Sequence, residues 1–265
     1  MGTYLAAVWR CRYFWLSLVK NDLRTRYQRS VLGLGWSLVQ PLAMTVVICV
    51  AFKIIMRISN DPNFPVHVLA GLTCWKFIVE CTTNGCRAFL NGEAYIRQYP
   101  APMFIYPMRT VLGCLIHFLL GMLVVLAVSV YYIDYSVSHA LTALAALIPA
   151  IALLFLLGLS LAVLASFVNV YFHDTQHLCD VGFQMLFYLT PIMYDSSFYG
   201  ERGRLKVVIN CNPFVPFLDL IREPILHGRV ARAETFALAG LIVLVIGSLS
   251  MFLLNRLQKV VIFRL

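Results

Sequence analysis

Six apolar runs divide the chain, at about residues 31–56, 67–90, 110–133, 140–170, 178–194 and 236–255. A helix needs about 20 residues, at about 1.5 Å each, to cross a hydrocarbon layer of about 30 Å. Each run therefore predicts one crossing. The fourth exceeds what a perpendicular crossing needs, and Pro149 marks the place for a kink. The fifth is short and begins beside Asp180. Residues 1–30 are basic and rich in aromatics (Tyr4, Trp9, Tyr13, Phe14, Trp15), which predicts a helix lying in the membrane interface. Residues 207–221 are apolar but too short to cross, and they carry Pro213 and Pro216. They read as a re-entrant or surface-lying helical pair. The expected fold is an all-α membrane protein with six transmembrane helices, an N-terminal amphipathic interface helix, and short re-entrant or gate helices between spans five and six. It forms one domain: 1–30 the interface helix, 31–194 spans one to five, 195–235 an external segment, 236–256 span six, and 257–265 a tail.

Composition agrees with the pattern. Of the 265 residues 61% are hydrophobic and 12% charged, against roughly 45–50% and about 25% in soluble domains. That excess of apolar side chains does not fit inside one soluble core, which excludes an ordinary soluble enzyme, a disordered chain and a disulfide-stapled module. The eight cysteines form no C-x-x-C pair and lie largely in apolar stretches, where Cys acts as a small hydrophobe.

The net charge of +9 would suggest nucleic acid in a soluble protein. Here the basic residues flank apolar runs, so they orient the chain in the membrane and face anionic headgroups. Six precede residue 31 (Arg10, Arg12, Lys20, Arg24, Arg26, Arg29), and Arg256, Lys259 and Arg264 lie in the tail. Both termini are therefore expected in the cytoplasm, which requires an even number of spans. Parity then puts residues 195–234 outside, although Arg202, Arg204, Lys206, Arg222, Arg229 and Arg232 lie there. That conflicts with the positive-inside rule, and parity is kept.

Few residues can carry chemistry. Lys76 and Glu80 sit four apart on one face of the second run. At that depth an ionisable pair reads either as functional or as an internal ion pair with Lys76 snorkelling. His173, Asp174, His177 and Asp180 follow the fourth run; a polar turn with Asp174 as helix cap suits them better than a metal site. Phe183, Phe187, Tyr194 and Phe198 fall close to one helical face, with Tyr188 adjacent. Such a stripe suits either stacking on sugar faces or ordinary helix packing with an interfacial belt, and spacing alone favours the second. Residues 91–109 are polar and proline-rich yet carry Tyr95, Ile96, Tyr99, Met103 and Phe104, as a short helix docking on a partner would. Arg24, Arg26 and Arg29 are read as interface anchors or as contacts for a lipid pyrophosphate. No G-x-x-x-x-G-K-[ST] loop is present, so any ATP must be bound by another chain.

Residues 26–41 read R-Y-Q-R-S-V-L-G-L-G-W-S-L-V-Q-P. With residues 70–80 (A-G-L-T-C-W-K-F-I-V-E), 95–102, 172–174, 186–194 (L-F-Y-L-T-P-I-M-Y), 212–213 and 222–228 (R-E-P-I-L-H-G), this set resembles the ABC-2 type permeases that export O-antigen, capsule or teichoic acid polysaccharides. The resemblance implies a homodimer with a channel between its copies, in a bacterial cytoplasmic membrane, above two ATP-binding cassette subunits that hold the ATP and Mg. No cofactor is implied in this chain. The cargo is a lipid-linked glycan. The resemblance places a coupling helix at 92–103, with Gly92, Glu93, Tyr95, Arg97, Tyr99 and Pro100. It places a second ATPase contact at His173 and Asp174, where His173 replaces the family's Arg. It also raises Trp36, Trp75, Phe183, Phe187, Tyr188 and Tyr194 as channel-lining candidates. Two rivals remain. One is an ABC-2 exporter of small drugs or lipids; the other is an integral-membrane transferase or hydrolase using Glu80, or His173 with Asp174.

Overall fold

The computed structural model describes residues 2–28, 30–52, 62–98, 101–133, 137–193 and 211–261. Its regular elements are all helical. They are α1 Gly2–Arg10, α2 Arg12–Tyr27, α3 Trp36–Val50, α4 Phe64–Cys86, α5 Glu93–Gln98, α6 Ile105–Tyr132, α7 Val137–Tyr171, α8 Thr175–Leu189, α9 Val215–His227 and α10 Ala233–Val261. Among the described residues four helices are long and apolar enough to cross a membrane: α4, α6, α7 from Ala140, and α10 as far as Gln258.

The other two predicted spans are shorter helices. α3 and α8 have 15 residues each, about 22 Å. α8 stops because Pro191 disfavours helical backbone at the residue before it, and Thr190 is accordingly extended (φ −95°, ψ 136°). The predicted interface helix is two helices, broken at Cys11. α7 runs through Pro149 without interruption. In the segment predicted to be external, the described part holds one helix, α9, opened by Pro216 in its first turn and closed by Gly228 in the left-handed region (φ 62°). Residues 194–210, the first part of that segment, lie outside the described residues.

α4 is the central helix. In its most apolar stretch 72% of residues are buried, against 17% in α10. The other helices reach α4 closely because small residues face one another. A Cβ on Gly85 would lie 2.7 Å from the Ala162 backbone of α7, and one on Gly121 of α6 would lie 2.9 Å from Thr73. A continuous core follows, with Leu69, Phe77, Ile78, Phe118, Leu154, Leu157, Leu218 and Ile221 at its centre.

A second cluster closes one end of the bundle. Phe89, Ile96, Met103, Tyr106, Phe167, Val170, Leu254 and Val261 meet there. This gathers the loop after α4, the start of α6 and the ends of α7 and α10 on one side. The N-terminus joins them, since the Tyr4 hydroxyl accepts a hydrogen bond from the Phe104 amide at 3.3 Å.

Candidate functional site

The closed end carries both predicted ATPase-contact segments. Glu93 opens α5, and its carboxylate pairs with Arg97 at 2.8 Å on the exposed side. Ile96 points the other way into the end cluster. Gly92 lies flat on the Tyr106 ring, where any Cβ would collide with it. Tyr95 is partly exposed and meets Phe14 of α2 edge-on at 6.0 Å. Tyr99 and Pro100 lie outside the described residues.

The turn between α7 and α8 stands beside this loop. Arg87, just after α4, donates a hydrogen bond from Nε to Gln176 Oε1, and Asn169 donates to the Cys86 carbonyl at 2.9 Å. Phe89 and Phe167 pack edge-to-face below them at 5.0 Å. His173 and Asp174 are exposed. Asp174 occupies the N-cap position of α8, but its side chain makes no capping hydrogen bond. The two segments thus lie at the same end of the bundle, on the ends of α4, α6 and α7.

The Lys76–Glu80 pair lies on α4 with Nζ and Oε1 4.0 Å apart, both side chains partly exposed. Lys76 also donates to Gln40 Oε1 of α3 at 2.8 Å. Behind them, Ser37 of α3 and His117 Nδ1 of α6 share a buried hydrogen bond at 3.0 Å. A cavity of about 190 Å³ joins Ser30, Trp36, Ser37, Gln40, Lys76, Glu80 and His117. A larger polar cleft, about 650 Å³, opens between α2, α4 and α6 and also reaches His117.

The aromatic candidates divide. Trp75 is buried in a ring cluster with Phe183, Phe187 and Phe214, at centroid distances of 5.8, 6.3 and 5.6 Å. Tyr188 and Trp36 are exposed. Tyr194 lies outside the described residues. Below the ring cluster, Arg222 of α9 is 5% exposed. It donates from its two terminal nitrogens to the carbonyls of Pro191 (2.6 Å) and Ile192 (2.8 Å). Gly71 leaves the space for it, since a Cβ there would collide with the guanidinium. Asn212 completes the joint: its Nδ2 donates to Thr190 Oγ1 at 2.8 Å and its Oδ1 accepts from the Phe214 amide at 3.0 Å. Stretches 70–80, 186–194, 212–213 and 222–228, quoted separately above, therefore meet at one point.

On α2, Arg24 is exposed, whereas the Arg26 side chain and Arg29 lie outside what is described. Arg12 lies over the rings of Trp9 and Tyr13, at 5.7 and 4.7 Å. The sequence reading did not single out Arg109, His117 or Gly71. His117 carried the same signal as Lys76, an ionisable residue inside an apolar run. Arg109 was hidden by its place at the boundary between loop and span.

A family model described as ABC-2 type transporter matches residues 13–226. Over 246 residues the chain is 28% identical to an O-antigen export system permease protein, RfbA, of Klebsiella pneumoniae, covering 91% of this chain and 90% of that protein. It is 26% identical to the protein of the same description from Myxococcus xanthus over 246 residues, 92% of each chain. It is 23% identical to the polysialic acid transport protein KpsM of Escherichia coli over 239 residues, 87% of this chain and 89% of that one.

Proposed function

The chain belongs to the ABC-2 type transporter family, and from that membership we propose that it is the membrane permease subunit of an ABC exporter moving a lipid-linked polysaccharide across the bacterial cytoplasmic membrane. It is a transport subunit and not an enzyme; ATP and Mg are bound by a separate cassette subunit. One observation carries the reading beyond family membership. The α5 loop and the α7–α8 turn sit together at one end of the bundle, on the ends of three membrane helices. A push there moves the ends of α4, α6 and α7 together.

In this reading α1 and α2 lie in the cytoplasmic interface, and α3, α4, α6, α7, α8 and α10 are the six spans. The closed end faces the cytoplasm with both termini, as the flanking basic residues require. The short spans α3 and α8 suit a wall between two copies, where the hydrophobic thickness need not be matched on every side. The partly exposed Lys76, Glu80 and Gln40 support the same placement, since charged groups at membrane depth face protein or water rather than lipid. Two copies therefore enclose a channel with this polar face toward it, and exposed Tyr188 and Trp36 lend it stacking surfaces for sugars. Phe183 and Trp75 stiffen the wall from behind. ATP-driven closure of the cassette pair pushes on Glu93, Tyr95, Arg97, His173 and Asp174, the copies part, and the glycan advances.

Deleting the gene tests this. Surface polysaccharide is expected to disappear while its lipid-linked form accumulates inside the cell, and the intact gene restores export. Glu80→Gln is expected to restore roughly a tenth of that export or less, because Lys76 loses its counter-charge. The exchanged pair Lys76→Glu with Glu80→Lys is expected to recover part of the loss. Unchanged surface glycan after deletion would refute the proposal.

A further inference from the structure

Arg109 stands in the second turn of α6 with its side chain 4% exposed. A guanidinium offers five N–H donors, yet this one makes no hydrogen bond among the described residues. Its Nε is buried without a hydrogen-bond partner. Its nearest anion is Asp22 of α2, whose Oδ2 lies 3.5 Å from Nε, too far for a well-formed charge-assisted bond. Asp22 is about half-exposed, and partial desolvation of its carboxyl raises its pKa even against the pull of Arg109. The pair is therefore loose, and the cation is the buried member of it.

Both residues line the cleft of about 650 Å³, together with the amides and hydroxyls of Asn21, Thr25, Asn84 and Thr110. Asn21 and Thr25 can donate to a ligand, and Asn84 keeps a second amide hydrogen beside the one it gives Cys114, whereas Thr110 already donates to the Tyr106 carbonyl; none of the four brings a second negative charge. Arg109 lies about 6 Å into α6, the depth of a headgroup rather than of acyl chains. Lys20 and Arg24 are exposed on α2, the helix that forms one wall. We propose that this cleft binds the phosphate headgroup of a lipid, with Arg109 as its cation and Asp22 as a counter-ion that the phosphate displaces.

The site rests on the permease reading only for which lipid fills it. Asn91 and Tyr95, from the loop that carries α5, also line the cleft, so a push on α5 changes its shape. At its other end the cleft reaches His117, which borders the cavity of Lys76 and Glu80. Arg109 and His117 stand eight residues apart on α6, about 12 Å, so the cleft runs from the headgroup position toward the proposed channel wall.

The test is native mass spectrometry of the complex purified with its partner subunit, exposed in turn to undecaprenyl phosphate, dioleoyl phosphatidic acid and dioleoylglycerol. The two phosphate lipids are expected to stay bound and the diacylglycerol to be lost. Arg109→Gln is expected to lower their retention about tenfold or more, and Arg109→Lys to lower it less. Asp22→Asn has the opposite sign: it removes the competing carboxylate and is expected to raise retention several-fold. That sign separates a ligand site from a structural ion pair, in which both substitutions lose binding together with thermal stability. Retention unaffected by Arg109→Gln, or lowered by Asp22→Asn, overturns the proposal. Preference for undecaprenyl phosphate over phosphatidic acid upholds the site as one for the glycan carrier; equal retention upholds it as one for bilayer phospholipid. A chain that holds phosphatidic acid through Arg109 but whose deletion leaves surface glycan unchanged keeps the site and refutes the permease reading.

Discussion

Replacing Arg222 with methionine is expected to remove most of the folded protein from detergent extracts of the membrane. The methionine fills much of the same space but offers no donor. The Pro191 and Ile192 carbonyls, held at 2.6 and 2.8 Å in the native joint, are then left buried and unpaired. Each such carbonyl costs about 1–3 kcal/mol, a large part of the total stability of an ordinary domain. Arg222→Lys is expected to rescue little, because one ammonium cannot present the planar pair of donors that two neighbouring carbonyls need. Gly71→Ala attacks the same joint from the other side, by pushing a methyl group into the guanidinium. If the joint is one unit, Gly71→Ala with Arg222→Met costs clearly less than the sum of the two. Thermal unfolding followed by fluorescence-detected size exclusion reads all four variants. A melting temperature for Arg222→Met within a degree or two of the native value would contradict the account.

Ile96→Asp is expected to abolish export while leaving the membrane bundle folded. α5 has six residues, too few to hold itself as a helix. Its exposed Glu93–Arg97 pair contributes about 0.3–0.5 kcal/mol. What seats it is Ile96, 8% exposed in the end cluster beside Phe89, Met103 and Tyr106. A carboxylate cannot be buried there without a partner, so α5 lifts away from the helices it must move. The expected result is surface glycan at the level of the deletion strain, with protein yield near native. Glu93→Gln is the contrasting case: it loses only the weak exposed pair and is expected to export within about twofold of native. Export by Ile96→Asp comparable to that of Glu93→Gln would show that α5 does not transmit the push.

Much of the membrane architecture was legible in the apolar runs, because span length is a one-dimensional property. The helices α4, α6, α7 and α10 fall on four of the six runs. The run at 178–194 reads past the end of α8, since hydropathy does not register the backbone restriction that Pro191 imposes on Thr190. Lys76 and Glu80 were visible because a charge inside an apolar run stands out in the sequence itself. Which aromatics point inward was not visible. Phe183 and Tyr188 lie five apart on α8, one buried against Trp75 and the other exposed, and the direction of the core is decided by α4, a distant part of the chain. The Arg222 joint was hidden for the same reason. Its partners at positions 71, 191 and 192 lie on other elements, and a lone basic residue in a segment assigned outside the membrane looked only like a topology conflict. Burial on backbone carbonyls explains that arginine without any appeal to charge-based orientation.

The central claim, that this chain is the membrane half of an ATP-driven exporter, is tested most directly by purifying it from native membranes in mild detergent and identifying its stoichiometric companions by mass spectrometry. The account predicts a chain carrying a G-x-x-x-x-G-K-[ST] loop, present at one copy per permease and lost from Ile96→Asp, whose docking face is displaced. A crosslinked homodimer that reproducibly carries no ATP-binding chain would contradict it.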